Sequence, residues 1–288
     1  MDRYDSIVIG AGHNGLVCAA YLSKSGQRVL VLEAAKFPGG FAARREFCEG
    51  FNVSVAHSAG HFSNTIVDDL NLAAKGLAMD GRTLPTVGLS NQGDHVILED
   101  GLLKGADARE TDASARFQAL MSRFAKAIEP FWSETMPRIG SKSIGDVLTF
   151  AHIGFNLRRM GKRDMHEFLR IVSLPARDLM DEYFENDLIK TAVGWDGLIG
   201  SKIAPRSPNS AVLTMLYRMS GQARPGHVIP TGGVPGLVDG LSASAQDLGA
   251  EIRYGARVSR ILINGGKSGL AANGVQLCDG EKLRADRV

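Results

Sequence analysis

Three glycines and one acid hold the most specific chemistry in this 288-residue chain. Gly10, Gly12 and Gly15 are spaced as G-x-G-x-x-G, and Glu33 stands eighteen residues beyond the last of them. In that pattern the first glycine permits a tight turn, the second lets backbone approach a pyrophosphate, and the third lets a helix pack closely on a strand. A helix that begins there points unpaired N–H groups and its positive dipole end at the phosphates. A carboxylate at the place of Glu33 accepts hydrogen bonds from ribose hydroxyls. The chemistry so specified is the holding of a dinucleotide. Phe37-Pro38-Gly39-Gly40 follows, a second glycine turn able to bring backbone against the same ligand. Arg44 and Arg45 come next, but adjacent arginines on a loop are commonly just solvated, and neither is assigned to a phosphate.

The spacing has meaning only if the right elements surround it. Ser6 to Ile9 is a short apolar run of strand type that leads straight into Gly10. Leu16, Val17, Ala20 and Tyr21 recur at helical spacing until Gly26 stops the pattern, and Arg28 to Leu32 reads as a second strand ending on Glu33. Strand, glycine turn, helix, strand and acid thus form one compact unit.

Other reactive side chains are less specific. His57 and His61 are four residues apart and would share a face if the segment were helical. Ser58, Ala59 and Gly60 between them offer no acid, so metal binding, a place beside a cavity and simple packing all stay open, and no metal site or catalytic residue is assigned. Cys18, Cys48 and Cys278 are too widely separated for a disulfide framework or a zinc pattern, which suggests a reducing compartment. With 44% hydrophobic and 22% charged residues and a net charge of +2, the composition is that of an ordinary globular chain with no overall bias toward nucleic acid or membrane and no long like-charge run. No apolar run has transmembrane length, and Met1 to Asp5 leads directly into the first strand. A soluble, cytoplasmic protein is therefore expected.

Along the rest of the chain, His95 to Leu98 followed by Asp100-Gly101 suggests a hairpin. A helix is expected from Ala113, capped by Thr111 or Asp112, with Phe117, Leu120, Met121, Phe124, Ile128 and Phe131 as its core stripe. Further helices are expected from Ile144 through Tyr183, where Arg158, Arg159, Lys162 and Arg163 read as a solvated face. Ser210 to Ser220 is apolar almost all round and should be a buried helix or the wall of a greasy cavity. The Pro230 to Gly236 loop enters a helix carrying Leu237, Leu241 and Leu248. No strand is expected directly before it, so it does not qualify as a second dinucleotide fingerprint. The tail reads as strands at Glu251 to Tyr254, Val258 to Ile263, Gly274 to Leu277 and Leu283 to Val288. Arg287-Val288 looks like the opening of an apolar strand, so more chain is expected beyond it.

Taken together, the fingerprint through Gly40, the IPTGGVPGLVDGL loop and helix, the LGAEIRYGARVSRI strand pair and the terminal GVQLCDGEKLRADRV resemble the phytoene desaturase-like branch of flavin amine oxidase-type oxidoreductases. The GAGHNG turn is similar to the subgroup of that branch named for a pyridine nucleotide-disulfide oxidoreductase domain. The resemblance implies FAD as the cofactor. It also implies that Gly10, Gly12, His13, Asn14 and Gly15 form the diphosphate turn, Glu33 the ribose acid, Gly39 and Gly40 the second glycine contact, and Val258 a backbone contact to the adenine. Relatives often carry arginine directly after the double glycine, where this chain has Phe41. They also continue past the AD-x-V strand to another glycine-rich motif. The resemblance therefore implies a fragment, a truncated product or half of a split enzyme, with a protein partner or a missing C-terminal segment completing the flavin site. No Cys-x-x-Cys or Cys-x4-Cys pair is present to exchange electrons with a flavin.

The fold implied is α/β: a Rossmann-like FAD-binding domain, residues 1–110 and 226–288, interleaved with a mainly helical substrate or cap region, residues 111–225. The activity implied is an FAD-dependent oxidoreductase of dehydrogenase or desaturase type that takes a hydride from an apolar or amine-like small molecule. A non-catalytic flavin-binding regulatory protein acting through a partner is the alternative. An NAD-dependent dehydrogenase shares the fingerprint and Glu33.

Overall fold

The structure is a computed structural model that describes residues 3–59, 62–79, 82–99, 101–200, 202–208, 211–220, 227–266 and 269–288. The chain divides into two compact units, Met1–Arg82 with Val228–Val288, and Thr83–His227. The first element is strand β1 (Arg3–Ile9), followed by helix α1 (His13–Lys24) and strand β2 (Val29–Leu32). A hairpin of β3 (Arg45–Cys48) and β4 (Phe51–Val53) and the short helix α2 (Asn64–Asp69) come next. Strands β5 (Arg82–Leu84), β6 (Thr86–Gly88), β7 (Val96–Glu99) and β8 (Leu102–Lys104) lead to the long helix α3 (Ala108–Ile128). Helices α4 (Ile144–Arg159), α5 (Lys162–Ile171), α6 (Ala176–Tyr183), α7 (Asp187–Gly194) and α8 (Ala211–Met219) follow. Strand β9 (His227–Ile229) and helix α9 (Val234–Asp247) precede the closing strands β10 (Glu251–Arg253), β11 (Val258–Gly266), β12 (Gly269–Leu277) and β13 (Lys282–Arg287).

The first unit is built on a six-stranded sheet in the order β10-β2-β1-β13-β12-β11. The pairs β10–β2, β2–β1 and β1–β13 are parallel, and β12 runs antiparallel to both of its neighbours. All four residues of β2 are buried, as expected of a parallel strand covered on both faces. Successive side chains point to opposite faces. Val29 and Val31 therefore pack with Leu16, Ala19 and Ala20 of α1 and Leu237, Val238 and Leu241 of α9. Leu30 and Leu32 join Tyr4, Ile7, Val275 and Leu277 on the other side. Register decides where the site lies: Ile9 pairs with Leu32, so Gly10 and Glu33 leave the sheet side by side.

The second unit has its own core, in which Phe117, Met121, Phe124 and Ile128 of α3 meet Phe168, Leu179, Ile189 and Met215. The rings of Phe124 and Phe168 pack edge to face with centroids 5.5 Å apart. Val96 and Leu103 belong to this core, so the antiparallel β6-β7-β8 sheet groups with the helices. The compact units accordingly divide at 82/83 and 227/228, whereas the sequence reading places its boundaries at 110 and 225.

Three expectations about elements are corrected. Helix α3 begins at Ala108 rather than Ala113, and its cap is Asp107, which accepts the Glu110 N–H at 2.8 Å. Helix α8 is buried on one face only, through Ala211, Val212, Met215 and Leu216, while Leu213 and Tyr217 are exposed. A strand does precede the second glycine loop, since β9 ends directly before Pro230. That strand is not among the six of the large sheet, so the loop still lacks the βαβ setting of a second fingerprint.

Candidate functional site

The site forms where β1 and β2 end. Gly10 has φ +99, a conformation that side-chain-bearing residues rarely adopt, and its N–H donates to the Leu32 carbonyl at 2.7 Å. The chain turns there and enters α1 with Gly12 as the N-cap. Gly15 lies in the first turn, where a Cβ would overlap the Gly10 carbonyl oxygen. Close packing of helix on turn therefore depends on its having no side chain. Gly12 differs: its φ of −70 is ordinary, and a Cβ built there meets nothing within 4 Å. The first turn of α1 contains no acidic residue, and no side chain caps it. Its N–H groups and the positive end of its dipole thus face an open approach beside Gly12.

Gly39 and Gly40 close one side of this approach. The Gly39 N–H donates to the Ala11 carbonyl at 2.8 Å, and Gly39 forms an isolated parallel bridge with Gly12. Gly39 has φ +119, and a Cβ there would stand 2.7 Å from the Ala43 Cα, so the turn requires glycine on two counts. A Cβ on Gly40 would lie 3.6 Å from the Gly12 Cα, which brings the two glycine turns into contact. Phe41, in the place where relatives carry arginine, is largely exposed.

Glu33 is fixed by backbone. One carboxylate oxygen accepts the Ala11 N–H at 2.8 Å and the other accepts the Ala35 N–H at 2.8 Å. Each oxygen keeps a further lone pair. The strand that leads to Val258 is tied to the same segment: the Gly255 N–H donates to Ala35 O and the Ala256 N–H to Glu33 O, both at 2.8 Å. Val258 then opens β11 as a half-buried residue at the edge of the sheet core. Beside it in sequence, the Tyr254 phenol is pushed up from its ordinary pKa by burial first, with the charges of Glu33 and Asp239 acting in the same direction.

The glycine turns, Glu33 and the start of β11 therefore form one locality, with His13 and Asn14 exposed in the first turn of α1. His57 is an exposed residue in an irregular stretch after β4, and His61 lies outside the described residues. Arg44 is directed to Asp239 of α9, at 3.9 Å. Among the described residues no group of three His, Cys, Asp or Glu side chains could hold a metal ion. The reading from sequence did not find the Ala11, Ala35, Gly255 and Ala256 backbone partners, because a backbone donor leaves no mark on residue type.

These features fit a dinucleotide with a diphosphate: an open Cβ position at Gly12, free helix N–H groups beside it, and an acid with spare lone pairs one strand away. Fold and site together define an α/β dinucleotide-binding protein. The chain belongs to the family of flavin containing amine oxidoreductases, whose model matches residues 15–288. The cofactor that accompanies this family is FAD. The chain is 28% identical over 307 residues to mouse (Mus musculus) pyridine nucleotide-disulfide oxidoreductase domain-containing protein 2, covering 98% of this chain and 52% of that protein. It is 27% identical over 294 residues to chloroplastic prolycopene isomerase of Daucus carota, covering 99% of this chain and 45% of that protein. Among solved structures, putrescine oxidase with putrescine bound matches with a TM-score of 0.61 at 16% identity, covering 100% of this chain and 57% of that one. The chain spans about half the length of the curated relatives it matches. Among the described residues no helix is long and apolar enough to cross a membrane.

Proposed function

We propose that the protein is an FAD-dependent oxidoreductase of dehydrogenase or desaturase type that takes a hydride from an apolar or amine-like small molecule. The observation that carries this reading is the Glu33 carboxylate, held by two backbone N–H groups beside a helix N-terminus whose Gly12 leaves its Cβ position open. Bound FAD supplies the hydride acceptor. The protein's part is to bind and orient it. Gly10, Gly12 and Gly15, with the N–H groups of His13 and Asn14, cradle the diphosphate; Glu33 accepts from the ribose hydroxyls; Gly39 and Gly40 bring backbone against the same group; and Val258 meets the adenine through its backbone. The unit Met1–Arg82 with Val228–Val288 is the FAD-binding part, and the mainly helical unit serves the substrate. The three cysteines are free and exposed, which supports a reducing compartment and hence the cytoplasm. No residue of this chain is given a catalytic role.

The test uses the purified full-length protein. A retained flavin spectrum, identified as FAD after denaturation, is expected to bleach on anaerobic mixing with a member of a panel of amines and polyenes. A protein that takes up no flavin contradicts the reading. One that retains FAD, is reduced by none of the panel and holds a stable protein complex supports the regulatory alternative instead.

A further inference from the structure

Helix α3 carries Arg109, Arg116 and Arg123 at seven-residue intervals, which places all three on one face. The outer two have acids: Arg109 meets Glu185 at 2.8 Å, and Arg123 meets Asp164 of α5 at 3.0 Å. Arg116, between them, has no ion pair among the described residues. Helix α5 repeats the arrangement with Arg163 and Arg170, again seven residues apart. Arg170 is held by Glu167 at 2.6 Å and by Glu182 at 2.7 Å, whereas Arg163 pairs with no acid among the described residues.

The two unpaired arginines line one groove, about 840 Å³ in volume, walled by α3, α5 and the last residue of α6. Its lining sets four arginines and His166 against two acids, Asp164 and Glu167, and both acids are already engaged by Arg123 and Arg170. Arg116, Arg163 and His166 are exposed. A cleft lined by one sign of charge focuses its field and draws in a counter-ion. Guanidinium groups suit phosphate in particular, because their planar fork of donors binds two oxygens at once. The paired arginines hold the walls in place, Arg123 tying α3 to α5 and Arg170 tying α5 to the end of α6. Seven helical residues rise about 10 Å, so Arg116 and Arg123 spread positive charge along a length that suits linked phosphates better than a single one. The groove also has an apolar part: half-buried Leu120 and the Tyr183 ring, which packs edge to face on Phe117 at 5.1 Å. Its volume is that of a small-molecule site.

We propose that the groove between α3 and α5 binds a small, soluble organic polyphosphate, with Arg116 and Arg163 gripping the phosphates from the two walls and Leu120 and Tyr183 receiving the organic part. The groove lies within the helical unit, and the proposal does not depend on the flavin reading.

Calorimetric titration of the purified full-length protein, loaded with FAD and freed of the excess, tests it with ATP, AMP and inorganic triphosphate in the absence of divalent cations. ATP is expected to bind about tenfold or more tightly than AMP, and more tightly than triphosphate. R116E/R163E should lower ATP affinity by about tenfold or more, with thermal unfolding unchanged. R158E/R159E, an equal change of charge on exposed positions of α4, should leave ATP affinity within about twofold of wild type. If R116E/R163E fails to fold, modification of the wild type by phenylglyoxal replaces it: ATP should slow the reaction of Arg116 and Arg163 but not of Arg158, as read from peptide masses. The titration runs equally on protein that takes up no FAD, so this proposal and the flavin reading fail separately. The proposal is overturned if ATP does not bind, if AMP binds as tightly as ATP, or if triphosphate binds as tightly or more so. It is equally overturned if R116E/R163E binds ATP as wild type does, if the two double variants lose affinity alike, or if ATP protects all three arginines equally or none of them.

Discussion

Glu33 is the residue whose chemistry is most constrained. Its two oxygens accept from two different backbone N–H groups, so the side chain must be an acceptor at both ends. Glu33→Gln leaves one oxygen and turns an NH2 group toward an N–H donor. It should destabilise the protein by about 1–2 kcal/mol in denaturant unfolding and weaken FAD retention as well. Gly15 is constrained by volume. A Cβ there overlaps backbone at Gly10, which has no rotamer to yield, so Gly15→Ala is expected to lower stability by about 2–3 kcal/mol whether or not cofactor is present. Both residues were legible in the sequence because their requirement is local: a turn that admits only glycine and an acid at a fixed distance along the chain. The histidines were not. Four-residue spacing places His57 and His61 on one face only if the segment is helical, and the stretch that holds His57 is irregular.

At the scale of elements, the beginning of α3 shows how a local signal is overlooked. Asp107 and Glu110 stand three apart, the spacing of a capping pair, but the apolar stripe starts later and draws attention to Thr111 and Asp112. Asp107 caps the helix, and buried Glu110 accepts the N–H groups of Glu185 and Asn186 at 2.9 and 2.7 Å, fixing the connection between α6 and α7. Thermal or urea unfolding should show Asp107→Ala costing about 1 kcal/mol and Asp112→Ala staying within about 0.5 kcal/mol. Glu110→Ala, which strands two donors, should cost about 2–3 kcal/mol. Helix α8 marks a limit of another kind: a segment apolar all round does not reveal which side its neighbours will cover. The contact of α1 with the C-terminal end of α2 has a pH signature. The Tyr21 phenol donates to Asp69 at 2.7 Å and is pushed up to about 12, by burial first and then by the hydrogen bond and charge of Asp69. A proton held more tightly in the folded state stabilises fully below the ordinary phenol pKa of 10.0, and that contribution is lost as pH rises toward about 12. Tyr21→Phe should remove this part of the alkaline decline, which unfolding curves measured across that pH window would reveal.

For the whole molecule, the interleaved plan was legible because the fingerprint stands at one end and the LGAEIRYGARVSRI strand pair at the other, with helical periodicity between them. The first boundary was not, since the alternation of β6 to β8 says that one face is buried without saying in which core. Each unit has a core of its own, and the site belongs to the first, where parallel pairing of β1 and β2 sets Gly10 beside Glu33. Gly12 permits the most direct test of the claim that this turn holds FAD, because it separates binding from folding. A methyl group at Gly12 meets no protein atom within 4 Å and suits the observed φ of −70, yet it occupies the approach to the helix N-terminus. FAD binding by wild type and Gly12→Ala should therefore be measured by equilibrium titration alongside unfolding. The account predicts at least about a tenfold loss of FAD affinity in the variant, with stability within about 1 kcal/mol of wild type. Equal FAD affinity in the two proteins, or no FAD binding by the wild type, would contradict it.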